Sequence, residues 1–453
     1  MTDMMQEWYK RAKLGIFLHW GIYSVDGVPE SWAFGSGSMS YNDYMKQLDG
    51  FTASRFDPDH WTELIGASGA KYAILTAKHH DGVCLFDTAY TDLTVIKKTP
   101  AKRDVLREYC DAMHRAGLKT GIYFTNTDWS DTEHMEVLLD RTAEEIESLH
   151  RDKTAYSSIW PAQTMSKRAP GNADTPIEKR EKWNIFLKRF MGQIEELVSN
   201  YGKIDLFWTD AMLYRKGYSW ETQKARDLIM KHQPEAIING RLDGYGDFLT
   251  SEQRLPLTPI SDDVWEYVHT FNESWGYKPN DRNFKTTKQI VTLFTKALTM
   301  GANMLLGIGP YEDGSVPVEA ETMLRELGGW INKYSEAIYP TERGLAPNYF
   351  GGASAFSEDK RTLYLFLNER PNEKVMINGL RNDIKRITCL TNGRELTYSV
   401  TGGAPWANIP GCKWIDISDS DLDDICTVLK LELDGEADLW QIGDHGHFGA
   451  QDY

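Results

Sequence analysis

Lys78, His79, His80 and Asp81 stand in a row two residues after the apolar run Tyr72-Ala73-Ile74-Leu75, and Gly82 follows them. Placing ionisable groups at the end of a buried run costs free energy unless they are paired or used. The pattern recurs along the chain. His19-Trp20-Gly21 closes KLGIFL, Tyr123 and then Asp128-Trp129 follow KTGI, Trp208-Thr209-Asp210 closes KIDLF, and Asn239 and Arg241 follow AII. Further on come Glu252 in FLTSEQ, Trp265-Glu266 in DVWEYVHT and Asn303 in NMLLGIGP. Two hydrolytic chemistries fit these residue types. Paired carboxylates among aromatic rings suit glycoside cleavage, where one attacks and the other delivers a proton. Alternatively, His19, His79, His80 and Asp210 could gather a divalent metal, as in barrel hydrolases. Adjacent strand residues face opposite sides, and the first run lacks the His-x-His that would favour a metal. No metal and no other cofactor is therefore expected. No Gly-rich phosphate loop follows the first run, and no GxSxG elbow occurs.

Something must bring these endings together. The runs at 13–20, 71–79, 119–126, 203–210, 236–240, 248–253, 263–270 and 303–310 read as strands. Helical patterns separate several of them. In 104–119, Leu106, Tyr109, Cys110, Met113 and Ala116 form one stripe and Gly117 is placed to stop it. In 181–200, Trp183, Phe186, Phe190, Ile194 and Leu197 share a face. Alternating strands and helices predict an α/β fold with a parallel sheet, and eight strands predict a (β/α)8-like barrel, whose strand C-termini form one mouth. A doubly wound open sheet is the alternative. Beyond Tyr339-Pro340 the runs RTLYLFLNE, KVMINGL, IKRITCLTNG, LTYSVTGG and TVLKLELDG predict an antiparallel β-sandwich with a structural role. The expected division is a catalytic barrel over 1–340, a sandwich over 341–441, and a tail over 442–453 that is flexible apart from any packing of Phe448.

Bulk properties narrow the partners. The 453 residues carry a formal net charge of −16, which disfavours nucleic acid and anionic membranes and suits a neutral substrate. The N-terminal stretch shows no signal-peptide pattern, and no run is long enough to span a membrane. The five cysteines are scattered and form no CxxC pair, so a cytoplasmic protein with reduced thiols is expected. The 15 Trp and 22 Tyr supply flat faces suited to sugars, although a large core also uses them.

Taken together, LGIFLHWGIYSV, AKYAILTAKHHDGVCLFDT, KRD at 102–104, GLKTGIYF, IDLFWTD and GANMLLGIGPYEDGSVP resemble the α-L-fucosidases of glycoside hydrolase family 29, in order from about residue 6 to 340. The resemblance implies a metal-independent barrel enzyme with a following β-sandwich, releasing terminal α-L-fucose with retention. It implies Asp210 as nucleophile. It implies Glu252, 42 residues on, as general acid/base, with Glu266 the alternative. It assigns fucose binding to His19, Trp20, His79, His80, Tyr123 and Arg241. Many members carry Glu-Trp-Tyr in the first loop where this chain reads Pro29-Glu30-Ser31-Trp32-Ala33. Either Glu30 replaces that contact or it is lost, while Trp32 still stacks on the sugar. The insertion at 127–180, with Trp160, has no counterpart in the pattern.

The residues agree with that implication. A neutral imidazole both donates and accepts, which suits the hydroxyls of a neutral sugar. Trp208 and Phe17 could line a pocket for the fucose methyl, though core packing also explains them. The expected partner is a fucosylated oligosaccharide, with fucosyl-α-1,3/4-GlcNAc the linkage suggested by VPESWAF, and self-association is compatible with the chain. The competing expectations are a barrel glycosidase for another sugar, such as a β-galactoside, and a non-catalytic sugar-binding relative.

Overall fold

The computed structural model describes residues 4–153, 177–211, 218–372 and 374–441. Trp160 and the tail with Phe448 lie outside the described residues. All eight predicted barrel strands are present: β1 (Leu14–Leu18), β2 (Tyr72–Lys78), β3 (Lys119–Thr125), β4 (Leu206–Asp210), β5 (Ile237–Ile238), β6 (Thr250–Glu252), β7 (Trp265–Thr270) and β8 (Ala302–Ile308). They form one parallel sheet in the order β5-β4-β3-β2-β1-β8-β7-β6. Every residue of β1, β2 and β8 is buried, as expected of strands covered on both faces.

Helices pack outside the sheet. Val105–Ala116 is capped by Asp104, whose side chain accepts from the Arg107 N–H, and ends at Gly117 with φ 69°. Ile177–Asn200 and Thr287–Thr299 cover other strands. The connections from β5 to β6 and from β6 to β7 carry no helix. No ladder joins β5 to β6 either. Among the described residues a single parallel bridge, Asn239 to Phe248, with Asp247 and Ile238 hydrogen-bonded beside it, closes the curled sheet there. The barrel is thus complete in strand number and weak at one seam.

After the helix Val318–Lys333 the chain becomes antiparallel, as predicted. Strands β9 (Thr341–Arg343), β10 (Ala353–Ser357), β11 (Thr362–Leu367), β12 (Lys374–Ile377), β13 (Ile384–Cys389), β14 (Glu395–Leu396), β15 (Tyr398–Thr401), β16 (Cys412–Asp416) and β17 (Thr427–Leu433) form two sheets. Their orders are β14-β13-β17-β11-β10-β9 and β12-β16-β15. The sandwich has its own apolar core, including Leu363, Leu365, Val375, Ile387, Ile415 and Leu431. It is tied to the barrel by Trp330, whose indole N–H donates to the Cys426 carbonyl at 3.0 Å, and by Thr295 with Asn368. Among the described residues no helix is long and apolar enough to cross a membrane.

Candidate active site

Strand β4 delivers Asp210 as its last residue. Beside it on β3, Tyr123 pairs with Trp208 in register, and its hydroxyl donates to Asp210 Oδ2 at 2.9 Å. Arg241, on the loop after β5, donates from Nη1 to Asp210 Oδ1 at 2.6 Å. Its other terminal nitrogen, Nη2, pairs with Glu252 at the end of β6. One guanidinium therefore holds both carboxylates, while its plane lies over the Trp208 ring at 4.7 Å. Burial pushes the Asp210 carboxyl up. The charge of Arg241, that of His80 once acid protonates it, and the hydrogen bonds from Arg241 and Tyr123 outweigh it and hold Asp210 below its usual 3.8. Asp210 is thus a carboxylate at neutral pH. The residues after the two carboxylates, Ala211 (φ 50°) and Gln253 (φ 59°), both sit in the left-handed region, a conformation that costs a non-glycine residue about 1–3 kcal/mol. Both strands break sharply just where their carboxylates are presented.

The histidine pair answers to local geometry. The β2–β3 register shifts between Thr76 and Lys78, and the strand ends at Lys78, so His79 and His80 escape strand alternation. Gly82 follows at φ 81°, where a Cβ would lie 2.1 Å from Ser130 Oγ. Both rings line a cavity of about 180 Å3, together with His19, Tyr123 and the two carboxylates. Burial pushes His19 down to about 3 and His80 to about 4, and pushes His79 well below its usual range, so all three are neutral near pH 7. Among the described residues His19 Nδ1 has no hydrogen-bond partner although it is buried, and its ring lines this cavity. Tyr123 stacks between His79 and Trp208, at centroid distances of 5.6 and 5.5 Å. Phe17, Trp208 and Trp275 make an apolar wall, and Trp32 stands 40% exposed at the opening. Among the described residues no group of three His, Cys, Asp or Glu is arranged to hold a metal ion.

Not every expected residue lines this cavity. Trp20 does not reach the cavity. Its ring is packed against Phe51, Phe56 and Trp61, and its indole N–H donates to the Tyr311 carbonyl at 2.7 Å. Glu30 is buried with its Oε1 accepting from the Gly276 N–H at 2.6 Å. It pins the loop that carries Trp275, and it is Ser31 that meets His79. Asn303, the second residue of β8, bonds Lys13 and Tyr9 at the opposite end of the barrel. Glu266 is also far from the mouth. It is the second residue of β7, four residues short of the strand's end and so roughly 13 Å below it. Its carboxyl is fully buried and receives Tyr9 Oη (2.9 Å), Tyr72 Oη (3.1 Å) and Trp208 Nε1 (2.8 Å). Burial raises it to about 7 despite those donors. Sequence reasoning missed Trp275, Ser31 and Thr125. Trp275, in the loop after β7, could have been found as an aromatic residue beyond a strand end; the two hydroxyls carry no such signal.

Two carboxylates on one arginine among aromatic rings at a barrel mouth fit the cleavage of glycosides. The family model for alpha-L-fucosidase matches residues 1–336. Human plasma alpha-L-fucosidase is 25% identical over 397 residues, covering 82% of this chain and 74% of that protein. The alpha-L-fucosidase isoenzyme 1 of Paenibacillus thiaminolyticus is 30% identical, with 95% of this chain and 99% of that chain covered and a TM-score of 0.79. The Thermotoga maritima alpha-fucosidase, solved with a mechanism-based inhibitor, is 28% identical over 94% of this chain and 96% of that one, with a TM-score of 0.71. The chain belongs to the alpha-L-fucosidase family, glycosidases that release fucose.

Proposed function

We propose that the enzyme is a retaining exo-α-L-fucosidase in which Asp210 is the nucleophile and Glu252 the general acid/base. The observation that carries this reading is the shared guanidinium of Arg241. Two carboxylates on one arginine stand close, which fits the separation of about 5–5.5 Å of a retaining pair better than the wider spacing of an inverting one. Asp210 attacks the anomeric carbon while Glu252 gives its proton to the leaving oxygen, forming a fucosyl ester and the free acceptor sugar. Glu252, now a carboxylate, takes a proton from water, the water attacks the anomeric carbon, and the ester bond to Asp210 breaks. Delivering a proton requires Glu252 to leave Arg241, and its half-exposed side chain on a three-residue strand has room to do so. Tyr123 and Arg241 orient Asp210. The small cavity, closed on one side by Phe17, Trp208 and Trp275, suits one terminal sugar with an apolar methyl.

The substrate class we propose is a fucosylated oligosaccharide, with fucosyl-α-1,3/4-GlcNAc the preferred linkage, to be checked on a panel of defined fucosylated di- and trisaccharides. We also propose a reducing, cytoplasmic setting, supported by five cysteines that form no disulfide. The mechanism is tested by Asp210→Gly on an aryl α-L-fucoside. Turnover is expected to fall by several orders of magnitude and to return in part with azide, giving β-fucosyl azide. NMR of the wild-type reaction should show α-fucose first. β-Fucose as first product, or near-normal turnover in the variant, overturns the assignment.

A further inference from the structure

Resting on the fucosidase reading, we propose that Ser31 and Thr125 hold the adjacent His79 and His80 in opposite neutral tautomers, so that the site offers one ring donor and one ring acceptor to two sugar hydroxyls. Ser31 Oγ has two partners. It accepts from the Asp81 backbone N–H at 2.8 Å and lies 2.6 Å from His79 Nδ1. A backbone N–H can only donate, so it sets the direction of the chain. Among the described residues the only acceptor left for the Ser31 proton is His79 Nδ1. That nitrogen is then bare, and the His79 proton sits on Nε2. The reverse arrangement, with Nδ1–H donating, leaves the fully buried Ser31 hydroxyl with no acceptor, at a cost of about 1–3 kcal/mol.

The second chain runs the other way. Thr125 Oγ1 lies 2.5 Å from His80 Nδ1 and 3.2 Å from the Thr127 carbonyl oxygen. A carbonyl can only accept, so Thr125 donates to it and accepts from His80 Nδ1–H. His80 therefore carries its proton on Nδ1 and has a bare Nε2, 3.8 Å from Asp210 Oδ2. A bare nitrogen beside a carboxylate asks for a donor between them, and a sugar hydroxyl supplies one. Burial keeps both rings uncharged near neutral pH, so each tautomer persists. Ser31 and Thr125 touch no substrate in this scheme. They are positioning residues that give two chemically identical side chains opposite polarity.

The tautomers are read in the free wild-type enzyme at pH 7 by long-range 1H–15N correlation of ring-labelled histidine, with assignment by His79→Asn and His80→Asn. The expected result is Nε2–H for His79 and Nδ1–H for His80. The same tautomer on both, or a doubly protonated ring, overturns the proposal. A second measurement uses monofluorinated and deoxy L-fucoses as competitive inhibitors, since fluorine accepts weakly and cannot donate. At the hydroxyl facing His79, the fluoro sugar should bind roughly three- to tenfold tighter than the deoxy sugar. At the hydroxyl facing His80, the two should bind alike. Ser31→Ala should abolish the first difference and Ser31→Thr should keep it. An unchanged difference in Ser31→Ala also overturns the proposal. If the tautomers are as stated and no fucose binds, the tautomer assignment stands and the substrate reading is what fails.

Discussion

Replacing Glu266 by Gln separates a buried structural acid from the catalytic pair. In the fold Glu266 keeps its proton up to about pH 7, against 4.5 for the ordinary carboxyl. The stabilisation of the protonated fold is complete below about pH 4.5 and is lost as pH rises through about 7, because the native carboxylate has no water to solvate it. The difference between the two values corresponds to about 3 kcal/mol for this fully buried group. Gln cannot titrate. It keeps one carbonyl oxygen for Tyr9, Tyr72 or Trp208 but turns an amide toward the remaining donors, a penalty that does not vary with pH. The assay is urea unfolding of both proteins from pH 4.5 to 8, followed by tryptophan fluorescence. The wild type minus variant stability should fall by about 3 kcal/mol over that range and level off above it. Subtraction removes the buried His19 and His80, whose depressed values act in the opposite sense by withdrawing stability as pH falls toward about 3 and 4. A difference that stays flat with pH refutes the reasoning, as does a Glu266→Gln variant whose activity falls selectively on poor leaving groups.

Other substitutions probe the mouth of the barrel. Glu252→Ala should lose about 10²–10⁴-fold on natural disaccharides and far less on aryl fucosides with good leaving groups, and its pH–rate profile should lose the basic limb. Arg241→Gln removes the cation that holds Asp210 down, so the acid limb of kcat/KM should move to higher pH; an unmoved limb separates Arg241 from the nucleophile. Trp275→Ala opens the apolar wall beside His19 and should raise KM about tenfold with a smaller change in kcat, read by steady-state kinetics. Prolonged dialysis against a strong chelator should leave turnover unchanged, and recovery only on adding Zn²⁺ or Mn²⁺ points instead to a metal held by the histidines.

Most of the eight strands were legible because a parallel strand buried on both faces leaves an unbroken apolar run; the two-residue β5 and the polar, partly exposed three-residue β6 also fell inside the predicted segments. The mouth was legible where a strand ended in chemistry, as at Asp210 and Glu252. Errors came where position along a run was read without its direction. His19 faces the cavity and Trp20, one residue on, faces away. Glu266 and Asn303 are each the second residue of their strands, so they belong to the barrel's floor. Ser31 and Thr125 escaped notice because a hydroxyl is common everywhere. Only the hydrogen-bond partners around it, far apart in sequence, reveal its use.

The seam between β5 and β6 places Asp210 and Glu252 under different regimes of inheritance. Asp210 ends a strand laddered on both sides, so moving it means re-registering the sheet. Glu252 ends a strand tied on one side only, reached from β5 through a helix-free connection and a single bridge. Lengthening or shortening that connection would displace Glu252, the proposed proton donor, and leave Asp210 undisturbed. A lineage built on this barrel can therefore relocate the carboxyl that Glu252 presents by insertion or deletion within 241–249 while the one at Asp210 stays fixed.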